Sequence, residues 1–142
     1  MAIAENPAFQ AVSFQVDGRL LGLDIRKVRE IRGWQQETPI PGASASIRGV
    51  IDLRGEAIPV HDMKTVLGLG RTDATPTHVC LIVELEQTHI GLLADSVSDI
   101  LDIPAGGLKP SPGDDAGLVS GLAMLDGGIV ALVEPARIAS FH

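Results

Sequence analysis

Gly49-Val50-Ile51-Asp52-Leu53-Arg54-Gly55-Glu56-Ala57-Ile58-Pro59-Val60 holds two short apolar runs separated by a polar residue and a glycine. Two β-prone runs around such a pair form the pattern of a hairpin. The pattern recurs along the chain. Val12, Phe14 and Val16 alternate with polar residues, Asp17-Gly18 follows, and Arg19–Leu23 returns. Thr77–Glu84 and Thr88–Leu93 flank Glu86-Gln87, and Gly121–Leu125 and Gly128–Val133 flank Asp126-Gly127. Sixteen glycines and nine prolines punctuate the chain at turn-like intervals. Many short strands at this turn density predict a mainly-β fold, a sandwich or small barrels. Helices are expected to be short, with Asp62–Leu67 and Pro135–Ser140 the best candidates. Asp102–Gly117, rich in proline and glycine, reads as a loop.

The chain also repeats itself. Gly22-Leu23-Asp24-Ile25, Val28 and Ile31 match Gly91-Leu92-Leu93-Ala94, Val97 and Ile100 at a constant offset of 69. Gly49-Val50, Leu53 and Gly55 match Gly121-Leu122, Leu125 and Gly127 at an offset of 72. The second match continues through Val60/Leu132, Asp62/Glu134 and Val66/Ile138. Two blocks in one order at nearly one offset indicate a duplicated β-unit of about seventy residues. Each half is small for an independent core, so the halves are expected to pack on each other.

Composition removes several function classes. The chain has 142 residues, 45% apolar and 20% charged, which is globular rather than disordered. Its net charge is −7. Nine Lys/Arg face eight Asp/Glu in residues 1–71, whereas two face ten in residues 72–142. Nucleic-acid binders need a basic footprint, and four aromatics (Phe9, Phe14, Trp34, Phe141) make a poor base-stacking platform. Apolar runs such as Val79–Val83 are far short of a membrane span. Residues 1–7 lack the basic and apolar segments of a secretory signal, so a cytoplasmic setting is expected.

Chemistry-bearing constellations are missing from the pattern. His61, His78, His89 and His142 have no ligand-like spacing, and the one cysteine, Cys80, sits inside the most apolar run. Asp114-Asp115 reads as a solvated turn. No phosphate loop, dinucleotide fingerprint or nucleophile elbow is present. The expectation is an interaction module with no catalytic residue, metal or cofactor. Two features exceed what a scaffold requires. One is the pair of apolar triplets, Ile25/Val28/Ile31 and Ala94/Val97/Ile100. The other is Arg54, which stands in a turn where the duplicate carries Asp126.

Leu23–Ile31, Ile47–Asp62 with its Leu53-Arg54-Gly55, Pro59-Val60 and Asp62, and Ile90–Leu101 resemble the CheW family of bacterial chemotaxis coupling proteins. The likeness runs from about Phe9 to Ile138. It implies one CheW-like domain over residues 8–141, mainly β, built as two SH3-like five-stranded barrels related by a pseudo-twofold axis. The first barrel is expected mainly over 18–70 and the second mainly over 77–134, with the terminal segments free to cross over.

The resemblance further implies a non-catalytic adaptor, monomeric in isolation, that binds the regulatory domain of the histidine kinase CheA and the cytoplasmic tip of chemoreceptors. It implies no nucleic acid and no membrane insertion, and recruitment from the cytoplasm to receptor arrays at the inner membrane. Receptor tips would lie in a groove between the barrels, which gives Val28, Ile31, Val97 and Ile100 as groove residues. Glu30 and Arg54 are expected to pair at the barrel rim near the receptor face. Coupling in a parallel pathway such as twitching motility is the nearest alternative. A small-ligand-binding β-barrel is the alternative from another class.

Overall fold

The computed structural model describes residues 9–113, 117–125 and 128–140. Asp114, Asp115, Asp126, Phe141 and His142 lie outside the described residues.

All four hairpins form. β1 (Phe9–Val16) pairs with β2 (Arg19–Asp24). β3 (Val28–Gly33) follows a short 3-10 turn. β4 (Ile47–Leu53) then pairs with β5 (Glu56–Asp62), which leads into α1 (Met63–Val66). β6 (Val79–Glu84) pairs with β7 (His89–Ala94), and β8 (Ser96–Ile103) follows. β9 (Leu108–Lys109), β10 (Val119–Leu125), β11 (Gly128–Val133) and α2 (Pro135–Ala139) complete the order. The turn residues Asp17 and Gly18 have φ of 51° and 79°, and Arg54 and Gly55 have 52° and 89°. Left-handed φ at both central positions matches the right-handed twist of the flanking strands. The Asp62 carboxylate caps α1 by accepting from the Lys64 amide, and Pro135 opens α2.

Two sheets result, ordered β3-β6-β7-β5-β4 and β8-β1-β2-β11-β10-β9. Replace each first-half strand by its duplicate, and the reverse, and the first order becomes the second without β9. The mainly-β, two-sheet, duplicated architecture is therefore the one observed. The expected split into 18–70 and 77–134 does not describe the sheets, because the two halves exchange their first hairpins. β1 and β2 lie in the sheet of β8, β10 and β11, while β6 and β7 lie in the sheet of β3, β4 and β5. Hairpin β6–β7 is apolar on both faces and occupies the inner places of its sheet, where both faces are covered. The segment Asp102–Gly117 is also not all loop, since Leu108 and Lys109 add a sixth strand against β10.

Alternation along β6 shows how the core divides. Cys80 and Ile82 join Ile51, Leu53, Ile58, Val60 and Leu93 inside the five-stranded sheet. Leu81 and Val83 point the other way, into a larger cluster with Val12, Phe14, Leu23, Met63, Leu92, Val133 and Ile138. That cluster draws on both sheets and holds them together. Ala11, Ile103, Ala123, Val130 and Leu132 fill the six-stranded sheet. Each sheet contains one parallel pair, with Leu132 beside Gly22 and Val60 beside Gly91. A Cβ on Gly22 would stand 2.6 Å from Leu132 Cδ2, and one on Gly91 2.7 Å from Cys80 Sγ. Any larger residue there would force these neighbouring side chains to shift.

Candidate functional site

β3 and β8 are equivalent edge strands of the two sheets, and they carry the apolar pairs singled out in the sequence. A spacing of three would put Val28 and Ile31 on opposite faces of a regular strand. The register solves this with a bulge. Val28 faces Val83, Glu30 faces Ile82 and Ile31 faces Leu81, so Arg29 is an extra residue. Val28 and Ile31 thus share the face of Leu81 and Val83. In β8, Val97 faces Phe14 and Ile100 faces Val12, again with one residue more on the edge strand. Val28 and Val97 rest partly buried on the shared cluster. Ile31 and Ile100 stay 43% and 57% exposed. Among the inner triplet members, Ala94 is buried and Ile25 packs half-buried on the same cluster.

Glu30 and Arg54 do meet. Arg54 Nη2 donates to Glu30 Oε1 at 3.1 Å, and Arg32 lies 3.6 Å from the same oxygen. Strands β3 and β4 are opposite ends of the five-stranded order, so a contact between β3 and the β4–β5 turn means that this sheet wraps round on itself. Asp52 Oδ1 accepts from the Gly55 amide at 2.8 Å and fixes the turn. Beside it, Arg29, Leu53, Arg54, Glu56 and His89 line a cleft of about 180 Å³, in which His89 Nδ1 lies 2.8 Å from Glu56.

One buried cluster escaped the sequence reading. Arg48, 9% exposed, donates to Glu37 at 2.9 Å, to Asp62 at 3.0 Å and to the Thr72 carbonyl at 2.9 Å. Asp62 also accepts from the Thr72 amide and hydroxyl, and Glu37 accepts from the Trp34 indole at 3.0 Å. The cluster ties both long connections, 34–46 and 67–78, to the five-stranded sheet. Burial opposes the charge of Arg48, but its bonds to Glu37 and Asp62 prevail and raise its pKa. Burial likewise opposes the Asp62 carboxylate, and the bonds from Thr72 and Arg48 outweigh it and hold its pKa below 3.8. Burial lowers the pKa of His61, whose Nδ1 lies 2.9 Å from Ser46 Oγ. The duplicate has Ser120 in place of Arg48, an asymmetry that the 72-residue offset exposes.

Cys80 is 4% exposed, and burial pushes its thiol up to about 12, so it is inert packing. Among the described residues, no group of three or more His, Cys, Asp or Glu is placed to hold a metal ion. No helix among them is long and apolar enough to cross a membrane. What the two edges offer is a contact surface: apolar pairs in matched positions, one of them beside an exposed ion pair.

Known proteins share this arrangement. The family model described as the CheW-like domain matches residues 10–141. The chain is 34% identical over 133 residues to a chemotaxis protein CheW of Rhizobium meliloti (strain 1021), covering 91% of this chain and 86% of that protein. It is 30% identical over 118 residues to Protein FrzA of Myxococcus xanthus, covering 82% and 73%. The crystal structure of the scaffolding protein TtCheW from Thermoanaerobacter tengcongensis matches with a TM-score of 0.83 at 31% identity, over 90% of this chain and 89% of that one. With the duplicated two-sheet fold, the Leu53-Arg54-Gly55 turn and a family match over nearly the whole length, this chain belongs to the CheW family.

Proposed function

We propose that this chain is a coupling adaptor of bacterial chemotaxis, working by binding and without catalysis. Its partners are the regulatory domain of the histidine kinase CheA and the cytoplasmic tip of chemoreceptors, and it acts in the cytoplasm at receptor arrays. The observation that carries the reading is the pair of bulged edge strands. Each offers a valine seated on the shared core and an exposed isoleucine, in positions related by the internal duplication. A receptor tip is helical, and an apolar helix face laid on apolar anchors is a standard recognition mode. Val28, Ile31, Val97 and Ile100 are the proposed receptor contacts, and the Glu30–Arg54 pair holds the rim beside them. Names such as chemotaxis protein CheW and scaffolding protein among its relatives support the adaptor role. Its likeness to Protein FrzA keeps coupling in a parallel pathway as a second reading. Pull-down of the purified chain by a receptor-tip fragment and by a kinase regulatory-domain fragment tests the role. Retention by both is expected, and retention by neither would overturn it.

A further inference from the structure

We infer that the Ser13 hydroxyl is a positioning residue that sets the phase of β8 and thereby places Val97 and Ile100 on one face. The inference rests on the reading that β3 and β8 carry the receptor contacts. Ser13 is 1% exposed, a polar side chain enclosed by the six-stranded sheet. It stands where the β1–β8 register slips, between the Val12–Ile100 and Phe14–Val97 pairs, so that one residue of β1 faces Ser98 and Asp99 of β8. Its hydroxyl accepts from the Asp99 amide at 2.9 Å and donates to the Asp99 carbonyl at 3.1 Å. One side chain therefore satisfies both backbone groups of Asp99 at the bulge, where the ladder pairing is interrupted.

The duplicate shows that this is not a general requirement of the fold. Counting 69 residues on from Ser13 reaches Ile82, and from Glu30 reaches Asp99. Ile82 pairs with Glu30 through the backbone ladder, and its side chain lies in the apolar cluster of its sheet. At the corresponding place in the other sheet the strand register has no Ser13–Asp99 pair, and the hydroxyl makes the connection instead. Side chains alternate with a period of two, so Val97 and Ile100, three apart, share a face only while the extra residue is held. The first edge is braced from outside by Glu30 and Arg54, and the second from inside by Ser13.

The test uses the full chain with Ser13→Ala, Ser13→Thr and Val97→Glu. Each variant is titrated with a receptor-tip fragment and, separately, with a kinase regulatory-domain fragment, and its circular dichroism is recorded. Ser13→Ala is expected to weaken receptor binding about tenfold or more, the scale of losing one interface anchor, with kinase binding and dichroism unchanged. Ser13→Thr, which keeps the hydroxyl, is expected to restore it. The inference is overturned if Ser13→Ala binds the receptor fragment like wild type while Val97→Glu does not, or if threonine fails to restore binding. Loss of dichroism and kinase binding in Ser13→Ala would also overturn it, by reducing Ser13 to a core residue. Normal receptor binding by Val97→Glu would instead sink the reading of the edges on which the inference rests.

Discussion

The Arg54 guanidinium reaches the Glu30 carboxylate at 3.1 Å across the two open ends of the five-stranded sheet. Arg54 holds a φ of 52°, a conformation that glycine or asparagine adopts at lower cost. An arginine kept in such a position points to a role for its side chain.

That role separates binding from stability. The pair is exposed on the arginine side, so Arg54→Ala should change stability by only about 0–1 kcal/mol. Arg54→Asn suits the left-handed turn better and should leave the melting temperature level or slightly raised. Both should weaken receptor coupling. The double reversal Glu30→Arg with Arg54→Glu should recover part of what each single reversal loses, though Arg32, 3.6 Å from Glu30, will oppose the new arginine. A binding assay and a thermal melt on the same samples check this. A double reversal no better than the worse single variant would count against the pair.

Arg48 should behave in the opposite way. Arg48→Met leaves the Glu37 and Asp62 carboxylates buried without their cation, a loss of about 3–5 kcal/mol. Adding Glu37→Gln and Asp62→Asn removes the stranded charges and should return part of it. Urea unfolding of the single and triple variants measures both. An Arg48→Met variant as stable as wild type would remove the network from the account of the fold.

The same region sets the pH profile of stability. Burial lowers the folded-state pKa of His61 below its ordinary 6.5, so the unfolded chain binds the proton more readily. Stability should therefore fall as pH drops below about 6.5 and level off below the folded pKa. Asp62 is lowered from 3.8, so its contribution is full above that value and is lost as pH falls through the lower folded one. Urea midpoints across this range should show the first decline in wild type and not in His61→Gln. An identical decline in both would assign it elsewhere.

The glycines at the parallel pairs should be equally intolerant in both sheets. Gly22→Ala and Gly91→Ala each force a methyl into side chains at 2.6 and 2.7 Å, a cost of about 1–3 kcal/mol. Cys80→Ala should relieve Gly91→Ala more than additivity allows, since Cys80 Sγ is the nearest atom. Additive losses in the double variant would place the strain elsewhere.

The hairpins were legible because Asp17-Gly18 and Arg54-Gly55 carry turn chemistry that works within a few residues. The two short helices were legible as the stretches Asp62–Leu67 and Pro135–Ser140, which the structure shows capped by Asp62 and opened by Pro135, and the duplication from its fixed offsets. The exchange of hairpins was not legible, since alternation along Val79–Val83 tells which faces are buried but not which strand lies alongside. Arg48 was hidden because Glu37 and Thr72 reach it from connections whose path no local pattern dictates. The nearby Gly49, where a Cβ would collide with the Thr38 carbonyl, belongs to the same long-range packing. The bulges were in principle readable. An apolar pair three apart on an otherwise β-like segment requires an extra residue to share a face.

Val28→Glu and Val97→Glu test most directly whether the two bulged edges carry the proposed receptor contacts. Each variant is titrated with the receptor-tip fragment and the kinase regulatory-domain fragment, with circular dichroism as the check on folding. Loss of receptor binding with kinase binding and dichroism retained is the expected result. Unchanged receptor binding, or unfolding of both variants, would contradict the account and leave the two valines as core residues only.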